Sequence, residues 1–116
     1  MLSLLNVNRP ANPTPEDNVQ LNSRQRAHLR SLAHPLKPVL QVGKEGVTDA
    51  SIRSLEEALN TRELIKLKVQ ESAPIDAPKA AEALAARVPG SVVVATIGRT
   101  AILYRPDPEK PEIRLP

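Results

Sequence analysis

The sequence predicts an α/β chain, more narrowly a two-layer α+β domain in which a mixed four-stranded sheet packs against helices. Apolar residues recur at helical spacing in three segments, and four other segments alternate or run as β-branched stretches. The segments interleave as α-β-α-β-α-β-β, and such interleaving builds one sheet covered by helices. All connections are short, so a single pair of layers accommodates the 116 residues.

The first helix starts at a cap supplied by Asn22 or Ser23 and runs to about Ala33. Leu21, Gln25, Leu29 and Leu32 form its packing stripe. Arg26 with Arg30, and Arg24 with His28, form two basic rows for solvent or a partner. His34-Pro35-Leu36-Lys37-Pro38 stops it, because a proline disfavours helical geometry in the residue before it. Val39–Val42 is a short strand closed by Gly43-Lys44-Glu45-Gly46. Thr48 caps a second helix, Asp49 to about Thr61, whose apolar positions are Ile52, Leu55 and Leu59. Leu64–Val69 alternates, sending Ile65, Leu67 and Val69 to the core and Lys66 and Lys68 to the other face. Asp76 caps a third helix, with Pro78 tolerated in its first turn and Ala80, Ala83, Leu84 and Val88 on its thin apolar side. Pro89-Gly90 ends it. The β-branched run Ser91–Ile97 turns through Gly98-Arg99 into a last strand, Thr100–Arg105, since glycine supplies the positive φ of a two-residue hairpin.

Flanking these elements, residues 1–20 hold Pro10, Pro13 and Pro15 among polar residues and are expected to be a flexible leader. Residues 106–116 form a Pro-rich tail, within which Glu112–Leu115 alternates and offers a short edge strand. The fold is thus expected within residues 21–105.

Composition removes several classes of function. Without cysteine there is no disulfide scaffold, thiolate zinc site, iron–sulfur cluster or cysteine nucleophile. One Tyr, no Phe and no Trp exclude RNA modules that stack bases on surface aromatics. No apolar run approaches the length of a membrane span, and the first residues lack a signal-peptide pattern, which points to a cytoplasmic protein. The two histidines, His28 and His34, have no carboxylate nearby in sequence to orient them. Glu56 and Glu57 are adjacent and so leave the helix on different sides. No catalytic residue, metal ligand, cofactor or small-molecule substrate is expected, and nothing demands more than a monomer.

Charge is more informative. No acidic residue occurs from Asn18 to Lys44, whereas Arg24, Arg26, Arg30, Lys37 and Lys44 do, so most of the net +3 charge has one source. A basic surface of this kind suits nucleic acid, an anionic membrane or an acidic protein. The Gly43–Gly46 loop sharpens the choice. A phosphate can approach backbone N–H groups closely where glycine has no Cβ, and a Gly-x-x-Gly loop clamps a nucleotide backbone in KH-type RNA binders. Lys66, Lys68, Arg99 and Arg105 are candidates to extend the surface.

Four stretches, Leu21–Val39, Val42–Thr48, Glu63–Lys68 and Ile97–Arg105, together resemble the CRM domain (chloroplast RNA splicing and ribosome maturation), in particular its stand-alone bacterial members. The resemblance implies a fold similar to the C-terminal domain of bacterial translation initiation factor three. It also implies RNA binding, with the Gly-x-x-Gly loop on a positive face, and association with ribosomal RNA in precursors of the large ribosomal subunit. Carried over by position, the expected RNA-binding residues are Arg24, Arg26, Arg30, Lys37, Gly43, Lys44, Gly46 and Arg99. Glu45 departs from the pattern by placing an acid inside the loop. The competing reading is a protein-interaction module that docks on an acidic ribosomal or chaperone partner, through the sheet or by strand addition at Glu112–Leu115.

Overall fold

The computed structural model describes residues 20–116, so the expected leader, apart from Gln20, lies outside the described residues. The elements follow the predicted order: α1 (Ser23–Ala33), β1 (Pro38–Val42), α2 (Asp49–Thr61), β2 (Leu64–Val69), α3 (Ala77–Arg87), β3 (Val92–Ile97) and β4 (Thr100–Tyr104). Each helix begins at a side-chain cap. Asn22 and Gln25 exchange side-chain and backbone hydrogen bonds in a capping box (2.8 and 3.1 Å), Thr48 and Ser51 do the same at α2, and Asp76 accepts the N–H of Lys79 at α3. Each such cap is worth about 1 kcal/mol.

The strands form one sheet in the order β1-β2-β4-β3, with β1 and β2 parallel and the other neighbours antiparallel. Period-two alternation sends β2 side chains to two cores, so the expected single pair of layers becomes three: α2 with α3 on one face, the sheet, and α1 on the other face. On one face Ile65, Leu67, Val69, Ala101 and Leu103 pack under Leu55 and Leu59 of α2 and the alanine-rich side of α3. On the other face Leu64, Ile102, Tyr104 and Val94 pack under Leu29 and Ala33 of α1.

Two expectations need correction on that second face. Leu32 is not part of the packing stripe: it is 41% exposed, while Leu29 and Ala33 are fully buried. The helix is rotated so that Arg26, which lies on the same side as Leu29 and Ala33, turns inward and Leu32 turns out. The inward position is stable because Arg26 Nη1 donates to the carbonyls of Val93 and Val94 (2.7 and 2.9 Å), where the β3–β4 register slips by one residue. Such an irregularity leaves carbonyls without ladder partners.

The tail is also more than an appendage. The buried Glu63 carboxylate accepts the N–H groups of Asp107 (2.6 Å), Glu112 (2.9 Å) and Ile113 (2.8 Å), which places Ile113 and Leu115 against the α1 core. Glu112–Leu115 therefore makes no strand, because two of its N–H groups are already held by a carboxylate. Desolvation, with the Glu63 charge second, raises the Tyr104 phenol above its ordinary value.

Candidate nucleic-acid interface

The glycine loop continues directly from β1. Val42 is buried, and the N–H of Gly46 donates to the Gly43 carbonyl (2.9 Å), so Lys44 and Glu45 are thrust into solvent at the tip. Gly46 has φ +72°, a left-handed conformation that favours glycine. Gly43 has no positive φ, and a Cβ there would meet only the end of the Gln70 side chain at 3.4 Å. The N–H groups of Lys44 and Glu45 donate to no backbone acceptor among the described residues. Helix α2 contributes less than its proximity suggests. Val47 and Thr48 intervene, Thr48 already caps Ser51, and Asp49 sits in the first turn. An anion at this loop would meet loop amides and Lys44 rather than an open helix terminus.

Helix α1 spans the sheet from the β3 side, where Arg26 is anchored, to β2, where Lys66 Nζ donates to the carbonyl of His34 at 3.1 Å. A cation on those last carbonyls suits the negative end of the helix dipole. Arg24 and Arg30 are exposed, His28 is half-buried, and Lys37 is exposed in the turn before β1. Arg99, in the β3–β4 turn, forms an exposed ion pair with Glu71 (3.4 Å).

The α1 side of the sheet is covered over only half of its length. Leu64, pairing with Tyr104, lies beneath α1 and the tail. Farther along, the register aligns Gln41 of β1, Lys68 of β2, Thr100 of β4 and Ile97 of β3 in one row across the sheet. Gln41 and Lys68 are exposed, Ile97 is 58% exposed and Thr100 is half-buried. With strands about 4.8 Å apart, the row is roughly 14 Å wide. The glycine loop bounds it at the β1 end. At the β3 end Ile97 lines a shallow depression with Ala27, Arg30, Ser31 and His34. The loop and α1 thus bracket an open floor instead of meeting directly, and Arg30, not Arg26, is the helix arginine that borders it.

Alternation in β2 marks Lys66 and Lys68 as facing away from the main core, but no local pattern says where α1 stops covering them. Acidic residues are placed just as unevenly. Helix α1 and all four strands contain no Asp or Glu, while they carry Arg24, Arg26, Arg30, Lys66 and Lys68. The acids lie elsewhere, three of them on α2. Among the described residues no group of three or more His, Asp or Glu side chains could hold a metal ion, and no helix is long and apolar enough to cross a membrane.

Residues 21–105 match the family model described as the CRS1 / YhbY (CRM) domain. The chain belongs to the CRM family. Among CRM relatives, a Bacillus subtilis protein named "Probable RNA-binding protein YqeI" is 45% identical over 96 residues, covering 83% of this chain and 99% of its own. A Haemophilus influenzae protein named "RNA-binding protein" is 38% identical, covering 83% of this chain and 95% of its own. The fold is also that of a solved structure, the solution structure of a hypothetical protein from Staphylococcus aureus. It has a TM-score of 0.69, 38% identity, and coverage of 84% of this chain and all of the other. The names of the CRM relatives point to RNA binders and not to enzymes.

Proposed function

We propose that the protein binds structured RNA by its sugar–phosphate backbone, and that in the cytoplasm it acts on precursors of the large ribosomal subunit. The observation that carries this reading is the acid-free layer made by α1 and the sheet, bordered by the Gly43–Gly46 loop, in which the N–H groups of Lys44 and Glu45 donate to no backbone acceptor among the described residues and Lys44 is exposed. Phosphate contacts dominate such a surface, so affinity falls steeply with salt and sequence preference is modest. Five exposed cations, Arg24, Arg30, Lys37, Lys44 and Lys68, each on one phosphate, give a slope of log K against log salt of about −4.5 on a duplex. RNA-binding names among the CRM relatives and the lack of stacking aromatics support backbone recognition.

The test is RNA binding by the full chain across a salt series. Arg24→Glu with Arg30→Glu is expected to weaken binding to a ribosomal RNA stem-loop at least tenfold with the unfolding midpoint unchanged, and undiminished affinity would remove α1 from the site. Lys44→Ala is expected to flatten the salt slope by about one unit. Co-sedimentation with precursor particles should vanish on complete RNA digestion. Its survival with a protein still bound would transfer the reading to protein docking. The strand-addition route for that rival is weakened by the Glu63 contacts, which hold the tail's N–H groups.

A further inference from the structure

We infer that the open row on the sheet, Gln41–Lys68–Thr100, discriminates RNA from DNA by reading ribose 2′-hydroxyls of a double-helical segment. This deepens the RNA-binding reading and rests on it. Arginines, lysines and loop amides recognise phosphates, which RNA and DNA share, so phosphate contacts made by these groups do not distinguish the two polymers. Discrimination needs hydrogen-bonding groups that donate to or accept from a hydroxyl, placed where a backbone held by those cations would lie. Gln41 and Thr100 flank Lys68 in one cross-strand row, on strands two apart and hence about 10 Å from each other. Gln41 Oε1 accepts a hydrogen bond from Gln70 Nε2, which orients the amide and leaves its own nitrogen as a donor. Thr100 presents a hydroxyl, which can donate or accept.

The shape of the row favours a duplex over splayed bases. Among the described residues the row itself holds no aromatic side chain for stacking: the one tyrosine is buried at the other end of β4, and the His34 imidazole lies outside the row, in the depression at its Ile97 end. The floor is shallow and open, bounded by the loop at one end and by Ile97 and Arg30 at the other. The minor groove of A-form RNA is likewise wide and shallow and displays its 2′-hydroxyls, while the deep major groove excludes side chains. Lys68 between the two neutral groups would take a phosphate, as one positive charge between two ribose contacts.

The experiment compares the full chain and its variants on one stem-loop, made once as RNA and once as DNA of the same sequence, at several salt concentrations. Wild type should prefer the RNA. Gln41→Met and Thr100→Val keep side-chain size and strand preference while removing the hydrogen bonds. Each should weaken RNA binding about five-fold, leave DNA binding within two-fold and leave the salt slope unchanged. Lys68→Ala should weaken both polymers equally and flatten both slopes by about one. Thermal unfolding of each variant shows that it is folded. An RNA-to-DNA ratio that stays at the wild-type value in both neutral variants, or a wild type with no preference, overturns the inference while leaving backbone binding intact. A wild type that binds neither polymer overturns the RNA-binding reading itself.

Discussion

Arg26 and Arg24 are two residues apart on one helix and do different work. Arg24 is exposed, whereas Arg26 is half-buried, with one nitrogen donating to two β3 carbonyls. Removing the Arg26 guanidinium leaves those carbonyls short of a partner, and an unsatisfied part-buried acceptor costs about 1–3 kcal/mol. Arg26→Met, which keeps the aliphatic stem, should therefore lower the unfolding midpoint by at least 4 °C or so for a domain of this size. Arg24→Met should shift it hardly at all but should weaken RNA binding. Thermal unfolding of the two variants side by side checks this, and equal midpoints would mean that the β3 contacts contribute nothing. The contrast also explains why charge reversal at Arg26 is a poor probe of RNA binding: it would place a carboxylate against two carbonyls. Glu63 shows the same logic with opposite sign, since its buried carboxylate is kept by three N–H donors from the tail.

Among the elements, the glycine loop separates geometry from function, because its two glycines are glycine for different reasons. Gly46 sits at φ +72°, and a Cβ added there would lie 3.4 Å from the Pro74 ring, so Gly46→Ala should cost about 1 kcal/mol of stability whether or not RNA binds. Gly43 has an ordinary backbone and only a flexible glutamine near it. Gly43→Ala should leave the unfolding midpoint unchanged and weaken RNA binding several-fold if a phosphate approaches the backbone there. Unchanged RNA affinity in a folded Gly43→Ala protein would reduce the loop to a turn. Elements of this kind were legible in the sequence because their signals are local: Asn22, Thr48 and Asp76 mark helix starts, Pro35, Pro38 and Pro89-Gly90 mark stops, and Gly98-Arg99 marks the hairpin. The rotation of α1 was not legible. Leu32 and Ala33 fit an apolar stripe equally well by spacing, and the choice between them is made by a distant irregularity in β3 that draws Arg26 inward. The open row escaped for the same reason, since Gln41, Lys68, Thr100 and Ile97 become neighbours only through sheet register.

Over the whole molecule, the sheet is covered fully on one face and by halves on the other. Helices α2 and α3 seal the first face, while α1 and the tail share the covered half of the second. The tail is thus part of the fold and lies toward the opposite end of the sheet from the Gln41–Ile97 row: its anchor Glu63 precedes β2, whereas Lys68 stands near the end of that strand. Deleting residues 106–116 removes the apolar cover given by Ile113 and Leu115 and takes from the Glu63 carboxylate its three N–H donors. Lost burial of two partly covered aliphatic side chains and the lost hydrogen bonds to that carboxylate should together cost about 2–5 kcal/mol. At roughly 4–8 °C per kcal/mol, the unfolding midpoint should fall by more than about 8 °C. RNA affinity, measured at a temperature where both forms are folded, should stay within two-fold, because no exposed cation of the proposed surface lies in the deleted segment. A midpoint that does not move would show that the tail adds nothing to the α1 core. A large loss of RNA binding with the fold intact would extend the contact surface onto the covered half of the sheet and would place Arg114 or Lys110 on the RNA.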